Sequence, residues 1–412
     1  MDRTQKMIQK YMMQAEDEQT MFVCVECVKD PILRRISSGL YKERCCISCG
    51  KQTRQALTPQ DIADRVRKYL PNHFEVDGGL YPGYEMDLAS VVSSSIGCSS
   101  ILTCEVIAGL LVEPESEEES FYWRDQVYQR IQSPFFEEKD ERDYIVGDWL
   151  LLAHELTHGR RFFNDKVRGS FGALIGEALR AEDPDVPGLH PVINVLPKGT
   201  DFYRARVVNN RSDIKDVAVD LGAPPKERAA NNRMSAAGIP LLYVSGDPKT
   251  CISELRPSIG DSVAVGRFSS SSDLKLFDFT ALERKLKFKP ISFFDDYYEE
   301  RSNRIKLLTY LHAEIARPLR ANALDYVVTQ ALAEFIRHET GEDFDGIIFR
   351  SVQNKGGINY VLFDKGDTVN TILPGWRQNF NLEASGASFE MYKVDFIDYE
   401  SSIESQTAQR KS

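Results

Sequence analysis

Two spacings in this chain are those of metal chemistry. Cys24 and Cys27 are followed, 18 residues later, by Cys46 and Cys49. Two C-x2-C turns so spaced can meet around one tetrahedral zinc ion. A four-cysteine site is coordinatively closed, so its zinc would stabilise a small fold rather than take part in a reaction. Cys45 adjoins the second pair and is the alternative ligand, but Cys46 keeps the two-residue spacing. The other pattern is His154-Glu155-Leu156-Thr157-His158. Two histidines one helical turn apart can hold a catalytic zinc while the glutamate between them acts as base, as in metallopeptidases, and Glu177 is available as a third ligand. A structural reading competes. Trp149, Leu152, Leu156 and Phe163 can form a buried stripe, leaving the histidines on an adjoining face beside Arg160 and Arg161, whose charge repels a divalent ion.

The elements that must carry these residues follow from length and patterning. At 412 residues the chain exceeds what one hydrophobic core usually encloses, so two or three domains are expected. Its formal charge of −11 opposes non-specific binding to nucleic acid or an anionic bilayer. No apolar run reaches membrane-spanning length, and the polar start has no signal-peptide core, so a cytoplasmic location is expected. Eight cysteines are too few for a disulfide scaffold, and five of them lie between Cys24 and Cys49.

Thr58-Pro59-Gln60-Asp61 reads as a helix start, with Ile62, Val66 and Tyr69 at helical spacing behind it. Further helices are expected over 90–111, 121–131 and 144–163, with a solvated acidic loop at 113–119. Turn signals across 181–200 place the main boundary there. Beyond it, short apolar runs at 240–244, 263–268, 274–279, 346–352 and 358–363 alternate with helices, which predicts a mixed α+β half. The expected organisation is an N-terminal zinc module (1–57), a helical domain (58–182), an α+β domain (195–370) and an extension (371–412) whose last residues fray.

In the C-terminal half, Phe202-Tyr203-Arg204-Ala205-Arg206 opens as a strand, and Asn231-Asn232-Arg233-Met234-Ser235 leads into the strand that carries Tyr243. Asp247-Pro248 caps a helix through Glu254. Ser351 ends one arm of a hairpin whose turn is Asn354-Lys355-Gly356-Gly357. Asp325 to Gln330 leads into a further helix. Together and in this order these segments, over about 201–365, resemble the RES-domain family, whose members include bacterial toxins that degrade NAD. The resemblance implies an ADP-ribosyltransferase-like fold and cleavage of the nicotinamide–ribose bond of NAD, with inorganic phosphate (phosphorylase) or water (glycohydrolase) as acceptor. By position, Arg204 and Arg233 match the family's arginines, Tyr243 its tyrosine, Glu254 its acid and Ser351 its serine. Met234 departs from the pattern, which usually has an aromatic there. The segment from Asp148-Trp149 to Phe162-Phe163 resembles the HEPN-related helical domain that precedes some RES domains, and the cysteine module is zinc-ribbon-like.

The chemistry fits the residue types. A carboxylate at Glu254 stabilises positive charge on ribose as nicotinamide leaves. Guanidinium forks at Arg204 and Arg233 suit the pyrophosphate. Tyr243 offers a flat face to the nicotinamide ring, and Ser351 a hydroxyl to ribose or amide. Glu254, Arg204 and Ser351 are thus the expected catalytic residues; Arg204, Arg233, Tyr243 and Ser351 the expected NAD-binding ones. The expected metal is a structural zinc on Cys24, Cys27, Cys46 and Cys49, with no catalytic metal. The expected partners are NAD, inorganic phosphate and, by analogy with the family, an antitoxin-like protein, with neither membrane nor nucleic acid. The rivals are a zinc metallopeptidase through 154–158 and a non-enzymatic zinc-ribbon binding protein. Ten Lys/Arg against seven Asp/Glu in residues 1–60 lend the latter slight support.

Overall fold

The computed structural model describes residues 21–76, 86–113, 120–123, 125–131, 138–186, 188–284, 286–316, 326–366 and 378–397. The acidic stretch at 114–119, Asp325 and the tail at 398–412 lie outside them. The chain divides into two compact units, Met1–Glu141 with Pro290–Ser302, and Arg142–Lys289 with Asn303–Ser412.

In the first unit each cysteine pair sits in a turn at the end of a strand. β1 (Val23–Cys24) leads through one such turn to α1 (Pro31–Ile36), capped by the Asp30 carboxylate, which accepts from the Ile32 and Leu33 N–H groups at 2.9 and 3.0 Å. β2 (Ser38–Cys45) ends at the second turn, and β3 (Gln52–Leu57) pairs antiparallel with both strands. α2 (Pro59–Tyr69) starts where the sequence indicates: Thr58 and Asp61 form a reciprocal capping box, and Pro59 occupies the first turn, where its missing N–H costs nothing. Ile62, Val66 and Tyr69 are its buried face.

The region expected to be mainly helical also contains strands. β4 (Phe74–Val76) and β5 (Met86–Asp87) flank a later strand in a second small sheet. The helix expected over 90–111 is two helices, α3 (Leu88–Ile96) and α4 (Ile101–Leu111), broken at Gly97, whose φ of +66° ends α3 in the left-handed conformation. The helix expected over 121–131 is not there. Its residues instead supply β6 (Val127–Arg130), which pairs with both β4 and β5. Pairing buries Tyr128 completely, whereas an isolated short helix would have to meet its nucleation cost without a continuous apolar face. Residues 290–302 belong to this unit: Phe294 is buried in its core, and the His73 imidazole Nε2 bonds the Phe293 carbonyl at 2.9 Å.

In the second unit α5 (Glu138–His158) and α6 (Asp165–Arg180) bury Trp149, Leu156 and Phe171 in one cluster with Phe277, Ile347 and Val361 of the large sheet. Residues 142–182 therefore pack with the C-terminal sheet. Phe163 does not join the expected stripe; it is 89% exposed beyond the end of α5.

The sheet is built from β7 (Ile193–Leu196), β8 (Asp201–Val208), β9 (Leu242–Ser245), β10 (Ser262–Ser270), β11 (Leu274–Asp278), β12 (Gly346–Arg350), β13 (Ile358–Leu362) and β14 (Leu382–Lys393). Their order is β14-β10-β8-β9-β13-β12-β11-β7, antiparallel except where β11 meets β12. The helices are α7 (Val217–Asp220), α8 (Pro248–Glu254), α9 (Tyr298–Ala316) and α10 (Val327–His338). The mixed α+β class expected for this half is what forms. The segment expected as an extension contributes β14, which pairs with β10 over nearly its whole length.

Among the described residues no single helix is long and apolar enough to cross a membrane; α3 and α4 reach that length only together, bent by 112°.

Candidate active site and cysteine cluster

The C-terminal end of α8 is where the chemistry gathers. Asp247 caps the helix, accepting from the Thr250 N–H at 2.8 Å, and Pro248 opens its first turn, so α8 runs seven residues and finishes on Glu254. A carboxylate there faces the negative end of the helix dipole, an unfavourable place for it. Two hydrogen bonds offset the cost. Ser351 Oγ donates to Glu254 Oε1 at 2.6 Å, and Asn359 Nδ2 donates to the same oxygen at 2.7 Å. Asn359 is in turn held by Ser245, whose Oγ donates to Asn359 Oδ1 at 2.7 Å.

Register makes this convergence possible. In the β12–β13 hairpin Phe349 faces Asn359, and in the β13–β9 pair Asn359 faces Ser245. The turn read at Asn354–Gly357 closes with Gly357 N–H on the Asn354 carbonyl and Ser351 N–H on the Gly357 carbonyl, both at 2.9 Å. Asn354 Nδ2 donates to Thr250 Oγ1 at 2.8 Å, which ties the turn to α8. A Cβ on Gly357 would stand 2.4 Å from that same hydroxyl, so only glycine lets turn and helix approach so closely.

Both arginines are braced by backbone carbonyls. Arg204 on β8 donates from Nη1 to the Tyr243 carbonyl at 3.0 Å, and burial lowers its pKa to about 10, which still leaves it charged at neutral pH. Arg233 donates from Nη1 to the Ile315 carbonyl. Its pKa is also lowered, chiefly by burial, while Tyr326 and Glu254 act against the shift. The loop carrying Arg233 is pinned to α10: Thr329 Oγ1 donates to the Arg233 carbonyl at 2.5 Å and Gln330 Nε2 to the Asn232 carbonyl at 2.7 Å. The Tyr243 hydroxyl accepts from the Met234 N–H at 3.0 Å, and desolvation raises its pKa. Met234 thus contributes its backbone to tyrosine placement while its side chain fills the core.

Arg204, Arg233, Tyr243, Glu254 and Asn359 line one cavity of about 430 Å³ within the second unit. Ser351 does not line it; its hydroxyl hydrogen is given to Glu254, and its oxygen accepts from the Gln353 and Asn354 N–H groups at 3.1 and 3.0 Å. The Ser351 hydroxyl thus holds the Glu254 carboxylate in place. Asn359 and Ser245 carry no mark in the sequence. Both sit in ordinary strands, and only their register reveals that they converge on a carboxylate.

The cysteine cluster forms as spaced. The sulfur atoms of Cys24, Cys27, Cys46 and Cys49 all lie within 4.8 Å of one another, with Cys24–Cys27, Cys24–Cys49 and Cys27–Cys46 at 3.5, 3.7 and 3.9 Å. A tetrahedron with Zn–S bonds of about 2.3 Å has edges of about 3.8 Å, whereas a disulfide would bring two sulfurs to about 2.0 Å. The four thiols therefore fit a zinc ion. Cys45 turns away, its thiol directed to the Gly50 carbonyl at 3.3 Å.

The histidine motif gathers no such set. His154 and His158 are exposed on one face of α5 with ring centroids 5.0 Å apart, while Glu177 is buried and paired with Arg180 at 3.2 Å. Among the described residues the four cysteines are the one His/Cys/Asp/Glu group close enough to share an ion. The ligand set of a peptidase does not assemble among the described residues, and the Glu177 carboxylate is engaged by Arg180 instead.

Neither the curated proteins nor the solved structures compared with this chain include a match. A family model does match: that of the RES domain, over residues 202–381. The match spans β8 through β13 and every cavity-lining residue named above, and it leaves out the cysteine module and the helices α1 to α6. The family is associated with NAD-related toxin function. Residues 202–381, which hold every cavity-lining residue named above, are thus the part of the chain that matches the RES domain.

Proposed function

We propose that this chain cleaves the bond between nicotinamide and ribose in NAD, through a RES domain of ADP-ribosyltransferase-like type. One observation carries the reading: Arg204, Arg233 and Glu254, contributed by a strand, a loop and a helix end, line a single cavity. The two guanidiniums bind the pyrophosphate, and the Tyr243 ring stacks on nicotinamide. The carbon–nitrogen bond breaks with its electron pair passing to the pyridine nitrogen, so nicotinamide leaves neutral and positive charge develops on ribose. Glu254, held by Ser351 and Asn359, stabilises that charge without having to reorganise. An oxygen of phosphate or of water then bonds to the ribose carbon, water giving up a proton in the process.

The four cysteines hold one structural zinc, which would tie the two strand-end turns together. By analogy with the family, the activity is that of a toxin held in check by an antitoxin-like protein. The test is to incubate the purified chain with NAD, with and without phosphate, and identify products by mass spectrometry. Release of nicotinamide with ADP-ribose or its phosphorylated form is expected; intact NAD overturns the reading.

Asn359 acts through Glu254 and is a positioning residue. Asn359→Ala is expected to lower kcat by about 10- to 100-fold, the range typical of a misplaced reacting group, with little change in KM for NAD. A rise in KM at constant kcat would mean that Asn359 holds substrate instead.

A further inference from the structure

An apolar surface lies open on the helix that carries the histidine motif. Tyr144, Leu150 and Leu151 of α5 are exposed, and Phe162 and Phe163, just past its C-terminal end, are 73% and 89% exposed. Single exposed apolar residues are ordinary, but five in one short segment mark a surface built to meet another. Leu151, His154 and His158 recur at helical spacing, so the exposed histidines continue the face that the leucine begins. Phe163 adds a backbone argument. Its φ of +53° is a conformation in which a Cβ is disfavoured and glycine is usual. A ring held there and left in water has nothing to offset that strain, whereas burial against a partner does.

The charges of the same segment select the partner. Asp143 and Asp148 are exposed on α5, and Arg160 and Arg161 are exposed beyond its end. Asp148 sits mid-helix, outside the first turn in which the helix dipole would favour a carboxylate. Among the described residues Asp143, Asp148 and Arg160 have no side-chain hydrogen bond or ion pair. An antiparallel second copy of α5 supplies what each end lacks. Asp148 then comes opposite the Arg160–Arg161 end, Leu150 and Leu151 come opposite Phe162 and Phe163, and the two-fold axis passes near His154 and His158. A parallel copy would set like charges together. A bilayer fits less well, because the two carboxylates belong to the same segment and the chain has a formal charge of −11.

We infer that α5 and the Phe162–Phe163 turn form the interface of a homodimer, isologous and antiparallel, with the phenylalanines of each copy seated on the leucines of the other. Every contact in such an interface occurs twice, so one substitution acts twice on a single association constant. The inference does not depend on NAD cleavage: its residues lie in the second unit, and none of them lines the cavity.

Sedimentation equilibrium of the full chain tests it. Wild type is expected to dimerise at roughly micromolar concentration. Phe163→Gly, which removes the ring and relieves the backbone, is expected to weaken dimerisation about tenfold or more while keeping the far-ultraviolet circular dichroism of wild type. Asp148→Arg and Arg160→Asp are each expected to weaken it about tenfold, and the double variant to return to within about threefold of wild type. That restoration separates charge pairing between copies from a purely structural role of either residue. A wild type that stays monomeric up to about 100 µM overturns the inference. So does a dimer indifferent to these variants, or a double variant that associates no more strongly than either single one. Binding of a monomeric wild type to phosphatidylserine–phosphatidylcholine vesicles, lost in Phe163→Gly, also overturns it and gives the surface to a bilayer.

Discussion

Glu254→Gln is expected to slow NAD cleavage by about 10²- to 10³-fold, the usual cost of removing one preorganised electrostatic group from an active site. The substitution is chosen because it leaves the shape intact. Ser351 Oγ and Asn359 Nδ2 both donate to one oxygen of Glu254, at 2.6 and 2.7 Å, and the glutamine carbonyl can accept both bonds. What disappears is the negative charge, and with it the attraction for positive charge developing on ribose. Because that charge is greater in the transition state than in the bound substrate, the loss belongs in kcat more than in KM. The measurement is the initial rate of nicotinamide release, beside thermal melting of the same preparation. A variant that melts like wild type and keeps more than a tenth of its rate would sink the role assigned to Glu254. It would leave the non-enzymatic binding reading as the stronger one if wild type also turns over poorly.

The second large effect concerns metal. Zinc binding to structural cysteine sites releases roughly 10–16 kcal/mol at neutral pH, comparable to or greater than the whole stability of an ordinary domain. The first unit supplies few other constraints around its turns, since β1 spans only Val23–Cys24 and α1 only six residues. Purified protein should contain one zinc per chain by elemental analysis. Stripping it with a strong chelator should expose residues 21–57 to rapid amide hydrogen exchange. Cys24→Ser and Cys46→Ser should lose the metal, whereas Cys45→Ser, whose thiol points to the Gly50 carbonyl, should retain it. Retention of stoichiometric zinc by Cys46→Ser would move the fourth ligand to Cys45, and an absence of zinc in wild type would remove the site altogether.

Features that depend on residues close together in the chain are legible in the amino-acid sequence. The Thr58–Asp61 capping box, the Asp247-Pro248 helix start, the glycine-rich turn at Asn354–Gly357 and the paired C-x2-C turns each rest on contacts spanning only a few residues. The strands β9 to β13 announce themselves as short apolar runs. β6 does not, because Phe121 to Ile131 mixes apolar with charged and amide residues without a clear period, and the choice between helix and strand is made by its neighbours β4 and β5. β14 escapes for a related reason: as an edge strand it buries only one flank against β10. Residues 290–302 pack with Tyr69 to Phe74, far away in sequence, and no local signal marks such a return.

The site divides along the same line. Which side chains can bind a pyrophosphate, stabilise a cationic sugar or hold zinc is a matter of residue chemistry; the four cysteines can be named from their type and spacing, and Arg204, Arg233 and Glu254 from the ordered set of segments that resembles the RES-domain family. Whether they meet is not. Glu254 is held by partners 97 and 105 residues further along, and that encounter requires the registers of β12, β13 and β9 to agree. Register also sets Ser351 against Glu254, brings in Asn359 and Ser245, and leaves Arg256 at the cavity without a side-chain hydrogen bond among the described residues. Side-chain chemistry is a property of single residues and short segments, while register is a cooperative property of the whole sheet, and so only the folded chain could decide it.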